Sequence, residues 1–192
     1  MNSLLRLASP TLTNLIRMDH TAVMLAFHRY KMDAPVAQKK AVAESICLAL
    51  EIHAQLENEI LYPATRPLVS DGVMDESILP QTDEVLRRIG VLRPLQPGSA
   101  EYDLAFIELM REVMHHVADE ETTLLPAADQ QLAGQLEELG AQFSKRRLEL
   151  TAPVGRQLTR NLGAMFPART YLWTAGAALG TLWAMRQLRR PR

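Results

Sequence analysis

The sequence of 192 residues predicts an all-α fold. Strand-forming composition is weak, with only 9 Gly, 4 Tyr and 4 Phe and no run of alternating β-branched residues. Helix-favouring residues such as Leu, Ala, Glu, Gln, Arg and Met are abundant, and apolar residues recur at intervals of three and four over long segments. Because 47% of the residues are apolar, the chain can form one domain with a sizeable core.

The first helix is predicted from Leu12 to Lys31, where apolar side chains such as Ile16 and Val23 form one stripe. His20 falls on that stripe, four residues after Ile16 and three before Val23. Its imidazole is therefore expected to point into the protein. His28 lies off the stripe and is expected to face solvent.

The second helix is predicted from Val36 to Tyr62, with Pro63 as its end. His53 and Glu57 lie on its apolar face, three and seven residues after Leu50. A carboxylate among buried apolar side chains is costly unless something pairs with it. Metal coordination would remove that cost.

The third and fourth helices are predicted from Asp75 to Ile89 and from Ala100 to Leu125. The third has the weaker pattern, and its inward polar position is Thr82 rather than a histidine. In the fourth helix, His116 and Glu120 share the apolar face. The neighbouring His115 points about 100° away from that face.

The remaining chain divides into three parts. A fifth, amphipathic helix from Gln130 to Leu150 is expected to cap the bundle and expose Arg147. Residues 151–168, which contain two Pro and two Gly, read as a linker or broken helix. Residues 169–192 form a predicted hydrophobic tail helix with a basic end, so the expected domains are 1–150, 151–168 and 169–192.

The tail suggests an anchor. Thr170 to Met185 carries no charge, has aromatic residues near its ends and is followed by arginines, as membrane interfaces select. Its length of about 24 Å is less than the ~30 Å hydrocarbon core, so docking on the bundle or homodimer formation through Gly176-x3-Gly180 is the alternative. A lone Cys47 and no secretory signal predict a cytoplasmic protein, tethered by this tail to the cytoplasmic face of a membrane.

The strongest functional signal is a repeated motif, His-x3-Glu-x3-Leu-x-Pro, at His53–Pro63 and again at His116–Pro126. In a helix, the His and Glu of each copy stand one turn apart on one face. With the inward histidine of the first helix, they give five candidate metal ligands: His20, His53, Glu57, His116 and Glu120. Mixed imidazole and carboxylate ligands suit iron, manganese or zinc better than magnesium or calcium. The alternative is a metal-free helical scaffold with ordinary core histidines.

Three stretches of the chain resemble the hemerythrin-like, or HHE cation-binding, domain over about residues 10–150: Asp19-His20 with Val23, His53-x3-Glu57 before Leu61-Tyr62-Pro63, and His116-x3-Glu120-Glu121 before Leu124-Leu125-Pro126. The resemblance implies an antiparallel up-down four-helix bundle that holds two irons. Glu57 and Glu120, with an oxo or hydroxo group, would bridge the irons, and the three histidines would be terminal ligands. Proteins of this family bind O2 or related ligands, sense oxygen, NO or redox state, or store iron.

The third helix departs from the family pattern, because Thr82 stands where the family supplies histidine. A threonine hydroxyl is a poor iron ligand, so water or Asp83 completes the site or the second metal is held weakly. We therefore expect one tight and one labile metal.

The predicted function is a non-haem iron protein that binds or senses O2, NO or redox state, with zinc and manganese as alternative metals. A di-metal enzyme acting on peroxide or NO, or an iron store, is the alternative. No inward Tyr or Cys is evident near the ligands to deliver protons, which favours binding over catalysis, and no catalytic residue is assigned. No nucleic-acid partner is expected, because the apolar stretch beside the tail arginines favours lipid.

Overall fold

The computed structural model describes residues 10–70, 82–155 and 160–161. These residues form helices and connecting turns and contain no strand, which confirms the all-α prediction. The helices are α1 (Leu12–Phe27), α2 (Val36–Leu56), a first π-turn (Glu57–Leu61), α3 (Tyr62–Ser70), α4 (Thr82–Leu92), α5 (Ala100–Asp119), a second π-turn (Glu120–Leu124), α6 (Leu125–Gln131) and α7 (Leu136–Thr151).

Side-chain caps fix the starts of two helices. Thr11 accepts a hydrogen bond from the backbone N–H of Asn14 at the start of α1. Ser99 does the same for the N–H of Tyr102 at the start of α5, as expected for Ser before a helix. The first helix ends at Phe27, one turn earlier than predicted, and α7 begins at Leu136, later than predicted.

The predicted ends of the second and fourth helices, at Pro63 and at Leu125, are wrong. Pro63 lies in α3 and Pro126 in α6, and the chain stays helical to Ser70 and Gln131 respectively. Each proline follows a π-turn, in which the N–H bonds to the carbonyl five residues earlier. The wider turn makes room for a proline ring that would clash with the carbonyl four residues earlier in an α-helix.

The helices pack around two apolar clusters. One joins α1, α2, α4 and α5 through residues such as Val23, Ile46 and Phe106, and the other joins α1, α2, α6 and α7 through residues such as Ile16 and Phe143. His20 lies between Ile16 and Val23 on α1, so it belongs to a polar layer between the clusters.

The helix α7 approaches the start of α1 closely. Gly140 is buried there, and a Cβ atom at this position would lie 2.3 Å from the carbonyl oxygen of Pro10. The absence of a side chain therefore lets α7 pack on α1, which brings its arginines beside the polar layer.

A buried ion pair connects α2 to α5. The Lys39 ammonium donates to both carboxylate oxygens of Asp103, at 2.9 and 2.7 Å, and the Tyr30 hydroxyl donates to the same carboxylate. Burial opposes ionisation of Asp103, but the hydrogen bonds from Lys39 and Tyr30 outweigh it and lower the pKa of the carboxyl.

Replacing Asp103 by Asn is expected to lower the free energy of unfolding at pH 7 by about 3–5 kcal/mol, because Lys39 keeps a buried charge without its counter-ion. Since the folded-state pKa of Asp103 is depressed, its contribution is present above the unfolded pKa of about 3.9 and is lost as the pH falls through the folded value. Urea denaturation between pH 7 and pH 3 should show the two proteins converging in acid. A difference that stays constant over this range would contradict the assignment.

Part of the predicted organisation lies outside the described residues. The tail at 169–192 is wholly outside them, as is the part of the third predicted helix before Thr82, and of the linker only residues 151–155 and 160–161 are described. Within the described ranges, no helix combines the length and apolar character that crossing a bilayer requires.

Candidate metal centre

The polar layer contains all five residues that the sequence singles out as metal ligands. His20 lies in the middle of α1, His53 and His116 lie near the ends of α2 and α5, and Glu57 and Glu120 begin the two π-turns. Each is at most 5% exposed. Three separate helical segments therefore bring three imidazoles and two carboxylates into one buried cluster.

The donor atoms of the cluster converge on one point. One atom from each residue can be chosen so that all five lie within 4.8 Å of one another. His53 Nε2 is 2.8 Å from Glu57 Oε1, and His20 Nε2 is 3.4 Å from Glu120 Oε2. His116 Nε2 is 3.6 Å from Glu57 Oε2 and 3.7 Å from Glu120 Oε2.

These converging atoms make no hydrogen bond despite their burial. They are Nε2 of His20, His53 and His116, Oε1 of Glu57 and Oε2 of Glu120. Leaving so many buried polar atoms without hydrogen bonds is expensive in a folded protein. A metal ion between them would satisfy all of them at once, so the donor set fits a bound cation with nitrogen and oxygen ligands.

Two of the histidines are oriented from behind by carboxylates. His53 Nδ1 lies 3.3 Å from Asp19 Oδ2, and His20 Nδ1 lies 3.0 Å from Glu121 Oε1. A carboxylate on Nδ1 directs Nε2 inward and makes it a better ligand. Arg147 of α7 donates a hydrogen bond to Asp19. Arg147 is predicted from the sequence to be exposed, but this contact leaves it half-buried beside the Nδ1 side of His53.

We expect Asp19→Ala to weaken binding of ferrous iron by about 10–100-fold, because His53 loses the carboxylate that orients it. An anaerobic competition titration against a chromophoric chelator would measure the change. Asp129→Ala is the matched control. Like Asp19, Asp129 pairs with an arginine, in this case Arg17, but it lies outside the cluster. Equal affinities for the two variants would show that Asp19 does not support the site.

Burial and charge pull the pKa values of the cluster in opposite directions. Burial alone would lower the pKa of His53, but Glu57, Asp19 and Glu120 together raise it to about 10. Burial opposes ionisation of Glu57, but the imidazoles of His53 and His116 hold its pKa well below the usual value. Burial and the charge of Glu57 raise the pKa of Glu120. A metal ion must therefore displace protons when it binds.

Tyr62 is the residue of the centre that the sequence reasoning missed. Its side chain is buried, and its hydroxyl lies 3.1 Å from Glu120 Oε1 and 3.4 Å from Glu57 Oε2. The prediction that no tyrosine approaches the ligands is therefore wrong. A phenol touching both carboxylates can position them and can hold a proton beside them.

The third predicted helix contributes no donor from its described side chains. The buried residues of α4 are the apolar Val85, Ile89 and Leu92, and Asp83, one of the two candidates to complete the site, is exposed. The side chain of Thr82 lies outside the described part. His28 and His115 are exposed, as predicted.

Comparisons with known proteins agree with this geometry. The family model of the hemerythrin HHE cation binding domain matches residues 11–128. A DNA nickase from Nostoc sp. (strain PCC 7120 / SAG 25.82 / UTEX 2576) is 27% identical over 147 residues, which make up 76% of this chain and 42% of that protein. The chain thus spans less than half of the length of that relative. No solved structure matches this chain significantly. Since the family model covers more than half of the chain and all five clustered residues, the protein belongs to the hemerythrin HHE cation-binding domain family.

Proposed function

We propose that this protein binds iron through His20, His53, Glu57, His116 and Glu120 and uses it to bind or sense O2, NO or a peroxide. The observation that carries the proposal is the set of five buried donor atoms that converge without hydrogen bonds. Imidazole and carboxylate donors also accept manganese or zinc. Iron is favoured because the chain belongs to the hemerythrin HHE cation-binding family and carries the donor residues that the family resemblance assigns to iron.

The surrounding residues prepare the site for a small ligand. Bound iron would supply a redox-active centre that accepts small diatomic or peroxide ligands. Apolar clusters on both sides exclude water from the histidines and carboxylates. A cavity of about 210 Å³ lies on the Asp19 side of His53, lined by apolar residues that include Val23 and Ile46 and by the charged Asp19 and Arg147.

We also propose a bundle architecture for residues 1–150. An antiparallel up-down four-helix bundle would be formed by α1, by α2 continued into α3, by α4, and by α5 continued into α6, with α7 as the extra helix. The tail at 169–192 would be a separate anchor to a membrane or to a second copy. Fractionation without detergent tests the membrane role: full-length chain in the soluble fraction, unchanged by truncation at Pro153, would argue against it.

Tyr62 favours a second candidate function, an enzyme that reduces peroxide or NO. Its hydroxyl contacts both ligand carboxylates, so it can hold a proton beside the reacting centre. Such proton delivery is what a reductase needs and a simple carrier does not.

DNA cleavage is a weaker candidate that rests on the name of the Nostoc relative. Residues 1–168 carry 16 basic and 22 acidic side chains, and an acidic body repels the phosphate backbone. Conversion of supercoiled plasmid to the nicked form by the iron-loaded protein, abolished in His116→Ala, would revive this candidate.

The test of the main proposal is to load the full chain anaerobically with ferrous iron and then add O2, NO or peroxide. We expect a stoichiometric change in the optical spectrum that His116→Ala abolishes and the neighbouring exposed-residue variant His115→Ala retains. Many turnovers of peroxide or NO per chain would favour the enzyme instead. A spectrum that does not respond to any of the three would contradict both functions.

A further inference from the structure

Each of the five clustered residues has one buried atom that makes no hydrogen bond. This pattern indicates how many ions the site can hold. Nδ1 of His20 contacts Glu121 and Nδ1 of His53 contacts Asp19, so these two histidines offer only Nε2 inward, and His116 likewise has a buried Nε2 without a hydrogen bond. Each carboxylate also leaves one oxygen without a hydrogen bond, Oε1 of Glu57 and Oε2 of Glu120. Each of the five residues therefore has at least one buried donor atom free to bind an ion.

The spacing of the donors matches one ion. Bonds from a metal to nitrogen or oxygen are about 2.0–2.2 Å long, so adjacent ligands of one ion lie roughly 3 Å apart and opposite ligands roughly 4.3 Å apart. Two ions about 3.5–4 Å apart would hold terminal ligands at opposite ends roughly 7 Å or more from each other. One donor atom from each of the five residues can be chosen so that all five lie within 4.8 Å of one another, close to the one-ion limit.

The second oxygen of Glu120, which would have to reach a second ion, is next to the Tyr62 hydroxyl. Glu120 Oε1 lies 3.1 Å from this hydroxyl and is absent from the set of buried atoms without hydrogen bonds. Glu57 Oε2 lies 3.4 Å from the hydroxyl but also 3.6 Å from His116 Nε2, so it faces the cluster. Tyr62 thus stands on the side of Glu120 from which a bridged ion would be bound.

The described side chains of α4, from Asp83 to Leu92, supply nothing for a second ion. Paired iron sites in helical bundles draw ligands from all four helices. Among residues 83–92 of α4, the buried side chains are apolar, and Asp83 points to solvent. Within the part of the chain that the structure describes, a second ion would have to share the donors that one ion already uses.

Building on the proposed iron-binding function, we propose that the centre holds one metal ion through three histidines and the carboxylates of Glu57 and Glu120. In this arrangement Tyr62 is a positioning residue: its hydroxyl engages the outer oxygen of Glu120 and keeps it from bridging to a second ion. The site would therefore differ in stoichiometry from the two-iron centre that the family resemblance implies.

The test is metal stoichiometry in the metal-free full chain, measured by equilibrium dialysis with ferrous iron under anaerobic conditions. We expect one tightly bound ion per chain, and an uncoupled electron paramagnetic resonance spectrum when manganese(II) replaces iron. Two equally tight ions, with an exchange-coupled manganese spectrum, would overturn the one-ion inference and leave iron binding intact. No bound ion would overturn both.

Tyr62→Phe tests the role of the hydroxyl. We expect the variant to keep the tight ion and to bind a second, weaker one, because the outer oxygen of Glu120, Oε1, becomes available. Tyr102→Phe is the matched control, since Tyr102 is buried in the cluster of Val23 and Phe106, away from the metal ligands, and it should retain wild-type stoichiometry. A Tyr62→Phe protein that binds one ion just as the wild type does would overturn the assignment of Tyr62.

Discussion

His116→Ala should reduce the affinity for ferrous iron by more than 100-fold, whereas His115→Ala should leave it unchanged. The two histidines are adjacent in α5, but His116 is 4% exposed and points into the cluster while His115 faces solvent. Loss of a residue that merely orients a ligand costs about 10–100-fold in metal affinity. Loss of a ligand itself should cost more, because one of only five donors disappears.

Anaerobic competition titration with a chromophoric chelator measures both affinities under the same conditions. Far-ultraviolet circular dichroism of the metal-free proteins serves as a check that each variant is folded. Equal affinities for the two variants would mean that the metal binds somewhere other than this cluster.

Loading with ferrous iron should raise the thermal midpoint of unfolding by about 5–10 °C. An ion at a free concentration one hundred times its dissociation constant adds about 2.7 kcal/mol to the stability of the folded state. For a chain of this size, 1 kcal/mol corresponds to about 2–4 °C. The stabilisation arises because the ion satisfies buried donors that otherwise make no hydrogen bond.

Scanning calorimetry with and without metal would measure the shift, and a chelator should reverse it. Magnesium is the informative control ion, because it prefers all-oxygen ligands and should shift the midpoint little. In His116→Ala, iron should likewise have little effect. A midpoint that is the same with and without iron in the wild type would contradict binding in the core.

The sequence predicts which side chains meet in the buried cluster because helical spacing is a strong constraint. An imidazole and a carboxylate four residues apart share a face in any α-helix, and flanking apolar residues such as Leu50 and Val113 decide that the face is buried. The same reasoning places His28 and His115 outside. These inferences depend only on local geometry, which tertiary contacts do not alter.

Tyr62 could not be placed from the sequence because its position depends on the π-turn. In an ideal α-helix, a residue five positions after Glu57 lies about 140° around the axis from it. Across the turn Glu57–Leu61, the N–H of Tyr62 bonds to the carbonyl of Glu57 and brings the two residues back toward one face. A proline six residues after each ligand carboxylate, at Pro63 and Pro126, is the one signal that could have indicated such a turn.

The supporting residues depend on packing between distant segments. Arg147 lies 128 positions after Asp19 in the sequence, and only the docking of α7 on α1 makes them partners. Periodicity within α7 gives no information about this contact. The orientation of His53 from behind is consequently a property of the tertiary structure.

Anomalous X-ray diffraction at the iron edge, from crystals of the iron-loaded full chain, tests the central claim most directly. We predict a single strong peak at bonding distance, about 2.0–2.2 Å, from Nε2 of His20, His53 and His116, Oε1 of Glu57 and Oε2 of Glu120. A map with no peak among these atoms, or with the iron at another place on the molecule, would contradict the account.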